Sequence, residues 1–377
     1  MFPALHAAVP SLVSLRLDLT VRYLPHPRPA IEFFNAFGNH CPHIEKLVIN
    51  TMVSSIVDTK ISPQICRWPN LRQVHCLNVT LNMDAIVHLS SISKLKSLEF
   101  TVHADATRDL SHFGSILVFS NLVELRMDSK SLDTAALLLS RIRLPAIESL
   151  SVTISNYTSK RQIQAYWAGV RTVCPSNLLT SFGLEGFGQD YGTLTLGEEA
   201  LLRLTWEDLY PCTAFAELRE LCINFDCSVG LTDADLLELA SLRMEELVIN
   251  YELGWQIGNE GGGITLSGLV QLLQKCPALK CLTLAIDTWT FTEIPEGMDV
   301  SFPPREQLTI NFLDSYILPE FVPDLVTVFM ALGLDSSMFT FWNIRREGYE
   351  VMQARSLWES VQDELRVLGE QSLLSEV

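Results

Sequence analysis

One short phrase recurs along this chain and limits what it can fold into. The phrase has the form L-x-x-L-x-L, and one copy runs from Leu279 to Leu284, directly after an apolar segment that ends at Cys276-Pro277. Apolar and polar residues that alternate over so few positions are typical of a strand with one buried face. A proline in front of the phrase ends the preceding helix. We therefore expect many short strands that alternate with helices.

The phrase returns at intervals that fit a repeat architecture. Its first apolar position falls at Leu12, Ile44, Leu71, Leu95, Leu122, Ile147, Leu179, Leu218, Met244 and Leu279, with a weaker copy at Arg305. Intervals of 24, 27 and 25 residues separate Leu71, Leu95, Leu122 and Ile147, within the roughly 20–29 residues of a leucine-rich repeat. Because strand, helix and strand at this spacing give parallel strands, we predict an α/β leucine-rich-repeat solenoid. Its curved parallel sheet would lie on the concave side and its helices on the convex side.

Segments with helical spacing lie between the phrases. We predict helices over residues 83–92, 132–142, 233–242, 266–276 and 321–332. Asn82, Thr232 and Thr265 precede three of them and suit the N-cap position. A last amphipathic segment follows Tyr349 and predicts a helix that caps the open end of the array; a partner-binding helix is the alternative. We thus divide the chain into a solenoid over 1–335 and a capping segment over 336–377.

Two intervals are longer than the others, and both contain glycine-rich, aromatic insertions. The insertions fall at residues 183–192 and 251–263, each just after a predicted strand. Long loops in a compact array are often functional. The first phrase, in contrast, starts with no capping segment before it, so we expect an upstream segment to cover that end of the array.

Charge and composition exclude several kinds of partner. The net charge of −17 repels phosphate backbones and anionic lipid, which argues against nucleic-acid and membrane binding and favours a basic protein partner. Keeping an apolar array soluble is an equally simple reason for the excess acid. No apolar run reaches the roughly 18 residues of a membrane span. Nine cysteines without a C-x-x-C pair indicate reduced, packed thiols and a cytoplasmic or nuclear protein.

The residues that enzymes use are poorly placed for catalysis in this sequence. All eight histidines lie between His6 and His112, so the rest of the chain has no imidazole for a nucleophile–base pair. His40, Cys41 and His43 form the nearest approach to a metal-ligand cluster, but no second pair accompanies them. The glycines after Tyr251 lack the Gly-Lys-Ser/Thr that holds phosphate. We predict no enzymatic activity and no cofactor.

The candidate binding surface is therefore the rim that follows the later strands. Residues just after a strand of such an array line the edge of its concave face, where aromatic side chains beside carboxylates suit a protein partner. The candidates are Asp226, Tyr251, Trp255, Asp287, Trp289, Phe291, Asp314 and Tyr316. Packing of these aromatics between irregular loops is the alternative.

Four passages carry a resemblance to a known family. They read LTWEDLYPCTAFAELREL over 204–221, GLTDADLLELAS over 230–241, CPALKCLTLAIDT over 276–288 and LWESVQD over 357–363. In content and order they resemble fungal F-box-like leucine-rich-repeat proteins, and the resemblance is sharpest over residues 200–370. No F-box is found before the first phrase.

The resemblance implies a role in recognition. In that family an amino-terminal F-box binds Skp1, and the repeats present substrates to a cullin-type ubiquitin ligase. This chain would then be the substrate-recognition repeat region, with Skp1 and cullin as partners only if an upstream F-box exists. A leucine-rich-repeat scaffold with no ligase role, or a hydrolase built on a solenoid, are the alternatives.

Overall fold

The computed structural model describes most of the chain and divides it into two compact units. The described residues are 12–19, 41–51, 61–103, 115–156, 158–186, 203–225, 228–250, 263–287, 308–313, 315, 317–341 and 349–375. The units are Met1–Gln189 and Asp190–Val377. Each contains a parallel sheet and helices, so the predicted mixed α/β class is confirmed. The boundary between solenoid and cap at residue 335 stays a prediction.

The first unit is built on nine described strands that pair in parallel, seven of them in one main sheet. Its strands are β1 Ser14–Leu19, β2 Lys46–Thr51, β3 Gln73–Thr80, β4 Ser97–Val102, β5 Leu117–Val118, β6 Glu124–Ser129, β7 Ile142–Arg143, β8 Ser149–Ile154 and β9 Ser181–Gly186. The main sheet has the order β1-β2-β3-β4-β6-β8-β9. The two-residue strands β5 and β7 pair with each other, also in parallel.

The register of this sheet places equivalent positions of successive phrases side by side. The second apolar residue of each phrase forms one row across the strands, consisting of Leu15, Leu47, Val74, Leu98, Leu125, Leu150 and Phe182. All seven are buried. Because side chains alternate between the two faces of a strand, this buried row fixes the residues on either side of it to the opposite face. The predicted positions of these strands are confirmed.

Three helices with both ends among the described residues accompany the sheet, and local capping explains where they begin. They are α1 Met83–Ser91, α2 Leu132–Leu139 and α3 Lys160–Val173. The predicted N-cap of α1 is confirmed, since the Asn82 side chain accepts a hydrogen bond from the Ala85 N–H at 3.0 Å. Helix α2 ends earlier than predicted because Ile142 pairs with Leu117 in the short β5–β7 ladder. Helix α3 was not among the predicted helices, although Ser159 and Gln162 form a capping box at its start.

Aromatic side chains join α3 to the buried side of the sheet. Trp167 stacks on Phe182 of β9, with ring centroids 4.4 Å apart, and Tyr166 lies 6.2 Å from the same ring. All three rings are buried. Burial raises the pKa of the Tyr166 phenol well above its usual value. The helix therefore packs on the leucine side of the sheet, and the other side is left to polar residues.

The second unit repeats this arrangement with shorter strands. Its strands are β10 Arg203–Leu204, β11 Glu220–Phe225, β12 Ser228–Val229, β13 Glu246–Ile249, β14 Cys281–Thr283, β15 Thr309–Asn311 and β16 Phe339–Thr340. Strands β11, β13, β14, β15 and β16 pair in parallel in that order. Strands β10 and β12 form a separate parallel ladder. The buried row consists of Leu221, Leu247, Leu282, Ile310 and Phe339.

The helices of the second unit agree with the predicted positions to within a few residues, except for the short helix α4, which was not predicted. They are α4 Trp206–Leu209, α5 Asp233–Leu239, α6 Leu266–Lys275, α7 Val322–Ala331 and α8 Tyr349–Ser375, with 3-10 turns at Tyr210–Ala214 and Pro319–Phe321. Thr232 and Thr265 are the N-caps of α5 and α6. The Asp233 carboxylate also accepts hydrogen bonds from the Thr265 N–H at 2.7 Å and its hydroxyl at 2.6 Å. The start of α6 is thereby tied to the start of α5.

Helix α8 covers the last strand of this sheet. Its Trp358 is fully buried and stacks on Phe312, with ring centroids 4.9 Å apart, while its indole N–H donates to the Ser315 carbonyl at 2.8 Å. On the next turn the Gln362 amide donates to the Phe339 carbonyl of β16 at 2.8 Å. Since β16 is the edge strand, this contact satisfies a backbone acceptor that would otherwise be left open. The contacts agree with a capping role for α8.

Replacing Trp358 tests this capping role. Trp358→Ala removes a fully buried indole and leaves a cavity, so we expect the free energy of unfolding of the second unit to fall by about 3–5 kcal/mol. Urea denaturation, with hydrogen exchange of α7 and β16 as the local readout, measures the loss. Val367→Ala on the same helix is the control, because Val367 is 49% exposed and should change stability by less than about 0.5 kcal/mol. Equal effects of the two substitutions would show that α8 does not cap the sheet through Trp358.

Candidate functional site

Of the residues predicted to line the binding rim, the structure describes one. Asp287 follows β14, is partly exposed, and its N–H donates to the Ile264 carbonyl at 2.7 Å. This places it beside the start of α6, as a residue that follows a strand. The other seven candidates lie outside the described residues, namely Asp226, Tyr251, Trp255, Trp289, Phe291, Asp314 and Tyr316. The rim stays a prediction.

The described residues instead draw attention to one side of the first sheet. The outward residues of β4, β6, β8 and β9 form a continuous surface, which we call the polar face. It consists of Ser97, Glu99, Thr101, Glu124, Arg126, Asp128, Ser149, Ser151, Thr153, Ser181, Gly183 and Glu185. These residues alternate with the buried apolar rows and lie in three register rows of four. Eleven of the twelve are polar or charged.

A three-residue ionic network occupies the middle of this region. Glu99 on β4 is the direct register partner of His75 on β3 and of Arg126 on β6. Its carboxylate oxygens lie 3.0 Å from His75 Nδ1 and 3.4 Å from Arg126 Nε. Only 12% of the Glu99 side chain is exposed. Glu99 and Arg126 bring opposite charges directly across a ladder, which stabilises a sheet, and the same carboxylate forms a hydrogen bond with His75.

Beside this network, on the polar face, lies Asp128, a carboxyl with a raised pKa. Burial raises the pKa of the Asp128 carboxyl above its usual value; the positive charge of Arg126 opposes this, while the negative charges of Glu99 and Glu185 add to it. Both neighbouring carboxylates lie on the same face of the sheet, on β4 and β9. Asp128 therefore ionises against a local excess of negative charge.

Small side chains form the part of the polar face over β8 and β9. Ser149, Ser151 and Thr153 lie on β8, and Gly183 lies beside Ser151 on β9. A Cβ atom at position 183 would come within 2.9 Å of the Ser151 hydroxyl oxygen. The Ser151 side chain thus occupies the space that a larger residue would fill. The short side chains on β8 therefore lie lower than the longer side chains on β6 and than Glu185 on β9.

The outward side of the second sheet is less open. Val248 and Thr283 are register partners in its middle row, and both are buried. One charged cluster lies at the amino ends of its strands, where Glu245 pairs with Arg219 at 3.3 Å and with Lys280 at 2.5 Å. The hydrogen bond and charge of Lys280 lower the pKa of the Glu245 carboxyl. These three side chains satisfy one another at the surface.

Thiol and metal chemistry have little support among the described residues. Cys41, Cys76, Cys174, Cys212 and Cys276 are buried, and none of them forms a disulfide bond among the described residues. Burial raises the pKa of Cys174 and Cys212 to about 12, which leaves very little thiolate at neutral pH. Of the predicted weak cluster, Cys41 is buried and His43 is exposed, while His40 lies outside the described residues. No group of three or more His, Cys, Asp or Glu in the described ranges is arranged to hold a metal ion.

Comparison with known proteins assigns the chain to no family. No protein-family model matches it, and no curated protein sequence matches it. Within the described part of the chain, no helix has the length and apolar character needed to cross a membrane.

Sequence reasoning missed the polar face and the His75 side chain beside it. His75, Glu99 and Arg126 each occupy a variable position of the phrase, and each alone resembles an ordinary surface residue. The signal that could have found them is the alignment of phrases. Stacking the phrases on their leucines puts these three residues in one row, and neighbouring opposite charges then become visible.

The raised pKa of the Asp128 carboxyl predicts how the free energy of unfolding depends on pH. A carboxyl whose folded pKa lies above its unfolded value of about 3.9 costs stability when ionised, and that cost disappears as the pH falls below both values. Asp128→Asn should therefore raise the free energy of unfolding at pH 7, and the gain should shrink as the pH is lowered towards 4. Urea denaturation of both proteins at several pH values measures it.

Arg126 supplies the control for this measurement. Because its charge lowers the pKa of Asp128, Arg126→Gln should enlarge the gain that Asp128→Asn produces at pH 7. A gain from Asp128→Asn that grows with falling pH would contradict the account.

Proposed function

We propose that this protein is a leucine-rich-repeat solenoid that binds another protein through the polar face and performs no catalysis. The observation that carries the proposal is the register of the first sheet. It aligns outward residues of successive phrases into rows, so that each phrase adds a few side chains to one shared surface. A surface of this kind suits an extended partner.

The Glu99 network supports a binding role over a purely structural one. His75 and Arg126 are held by the same carboxylate before any partner arrives, so little side-chain freedom remains to be lost on binding. Charged and polar groups in fixed positions favour specificity and orientation of a protein partner. Apolar side chains at these positions would also have stabilised the sheet, but they would present no charged or polar groups to a partner.

The resemblance to F-box-like leucine-rich-repeat proteins suggests a more specific form of this function. In that form the partner is a substrate for ubiquitin ligation, and Skp1 and cullin bind through an F-box encoded upstream. The protein would then act in the cytoplasm or nucleus. Co-purification of Skp1 with the product of the complete gene tests this form separately. A scaffold with no ligase role would bind its partner through the same face but would not retain Skp1.

Site-specific photo-crosslinking tests the binding surface. A photo-crosslinking residue at Ser151 on the polar face should give a discrete adduct with a partner protein in cells, detected by mass spectrometry. The matched control is the same residue at Leu137, which is 36% exposed on α2, on the helical side. Ser149→Trp, which places a large ring on the floor of the face, should remove the Ser151 adduct. Adducts from position 137 with none from position 151 would place the binding surface on the helices.

A further inference from the structure

A second surface of the first unit is formed by the short ladder of β5 and β7, which is separate from the main sheet. The Leu117 N–H donates to the Arg141 carbonyl at 2.9 Å, and the Phe119 N–H donates to the Arg143 carbonyl at 3.0 Å. Leu117 and Ile142 are direct register partners, and both are buried. Because side chains alternate along a strand, the residues on either side of this buried pair face outward.

The outward residues of the ladder are two aliphatic and two arginine side chains, which we call the arginine patch. It consists of Ile116, Val118, Arg141 and Arg143. Val118 is the direct register partner of Arg143, and the other two residues lie two positions earlier on the same two segments. Ile116 is 49% exposed and Val118 is 46% exposed. Adjoining exposed apolar side chains with polar groups beside them are typical of an interaction site, whereas single ones are ordinary.

The two arginines of the patch can pair with groups of a partner. Among the described residues, neither has an ion pair within 4.0 Å. Arg143 Nη1 donates to the carbonyl of its neighbour Ile142 at 2.9 Å. A guanidinium has five N–H donors, so this bond fixes the side chain along the ladder and leaves other donors for a partner.

The surroundings of the patch are also cationic. Helix α3 ends beside β7, since the Leu144 N–H donates to the Val173 carbonyl at 3.2 Å, and this helix has three basic residues and no acidic one. The first unit has 17 Lys and Arg against 13 Asp and Glu, a net charge of +4, whereas the second has 10 against 31, a net charge of −21. The acid excess of the chain therefore belongs to the second unit, and the charge of the first favours an anionic partner.

We propose that the arginine patch binds an acidic, apolar segment of a partner protein, with an apolar side chain on Ile116 and Val118 and carboxylates on the two arginines. The inference goes beyond the proposed function, because the patch shares no residue with the polar face. Charge complementarity selects this occupant. A carboxylate can accept two hydrogen bonds from one guanidinium. The aliphatic half favours a protein over a nucleic acid, whose bases stack on aromatic side chains.

The spacing of the arginines suits an extended segment. Arg141 and Arg143 lie two positions apart on one strand, which is about 7 Å between their Cα atoms. Alternate residues of an extended partner segment repeat at the same distance, so acidic residues at positions i and i+2 of that segment would face both guanidinium groups.

Peptide selection on the full chain tests the patch. The probe is a phage-displayed library of random twelve-residue peptides, and peptides are kept only if Ile116→Ser with Val118→Ser abolishes their binding. This filter leaves both arginines in place, so it does not select for charge. We expect the retained peptides to share an aspartate or glutamate. Replacing it by asparagine or glutamine should weaken binding tenfold or more, the scale of a hydrogen bond to a charged group.

Two charge-matched double variants locate the contact. Arg141→Gln with Arg143→Gln should weaken binding of the retained peptides by a similar factor. Lys96→Gln with Arg161→Gln removes the same charge at two exposed positions of the same unit and should leave affinity within about threefold, because salt screens charges outside the contact. Circular dichroism melting checks that every variant folds.

Several results would overturn the arginine patch. They are retained peptides without an acidic residue, peptides that bind the Arg141/Arg143 variant unchanged, and a selection that yields no peptide sensitive to the Ile116/Val118 variant. Equal weakening by the two charge-matched variants would also overturn it, since the effect would then be one of net charge. Single-stranded DNA or phosphatidylserine vesicles that bind the wild type and lose binding in the Arg141/Arg143 variant would replace the protein segment by an anionic polymer or lipid.

The polar face is tested separately in the same experiment. Ser149→Trp, which blocks the polar face, should leave the affinity of the retained peptides unchanged. Failure of the arginine patch therefore leaves the proposed function standing, and loss of these peptides in the Ser149→Trp variant would contradict a second, independent surface.

Discussion

The in-register parallel pairing of the strands is the constraint on which the rest of this structure depends. Leu98 and Leu125 lie side by side because β4 and β6 pair residue for residue, and both side chains are buried. Once the leucines are fixed on one side, the alternation of a strand places Glu99 and Arg126 on the other. A slip of one residue would bury both charges, which is why the apolar row holds the register so firmly. The polar face is thus a consequence of how the core is packed.

The two sheets use this constraint differently. In the first, outward positions carry charges and small side chains, and the Glu99 network results from a row of register partners. In the second sheet, Val248 and Thr283 occupy the outward middle row and are buried. Its charged side chains lie around Glu245, at the amino ends of the strands. Polar groups available for recognition are therefore concentrated on the first sheet among the described residues. All eight candidates chosen from sequence lie in the second half of the chain.

Much of the fold could be predicted from sequence, because it depends on local patterns. The leucine phrases located the strands, and Asn82, Thr232 and Thr265 located three helix starts. Helix α3 could have been predicted as well, from the capping box of Ser159 and Gln162. The weak copy at Arg305 was placed two residues early, since the register aligns Leu282 with Ile310. Ionic partners such as Glu99 and Arg126 lie far apart in sequence and on different strands, so their contact depends on a register that no local pattern reveals.

Disulfide trapping across β4 and β6 tests the register most directly. Glu99→Cys with Arg126→Cys places two thiols on neighbouring strands about 5 Å apart at Cα, within reach of a disulfide. Glu99→Cys with Ser151→Cys places them about 10 Å apart, beyond that reach. Mild oxidation followed by peptide mass spectrometry should find the 99–126 link at high yield and no 99–151 link. A 99–151 link, or a 99–126 pair that does not oxidise in the folded protein, would contradict the in-register sheet and with it the polar face.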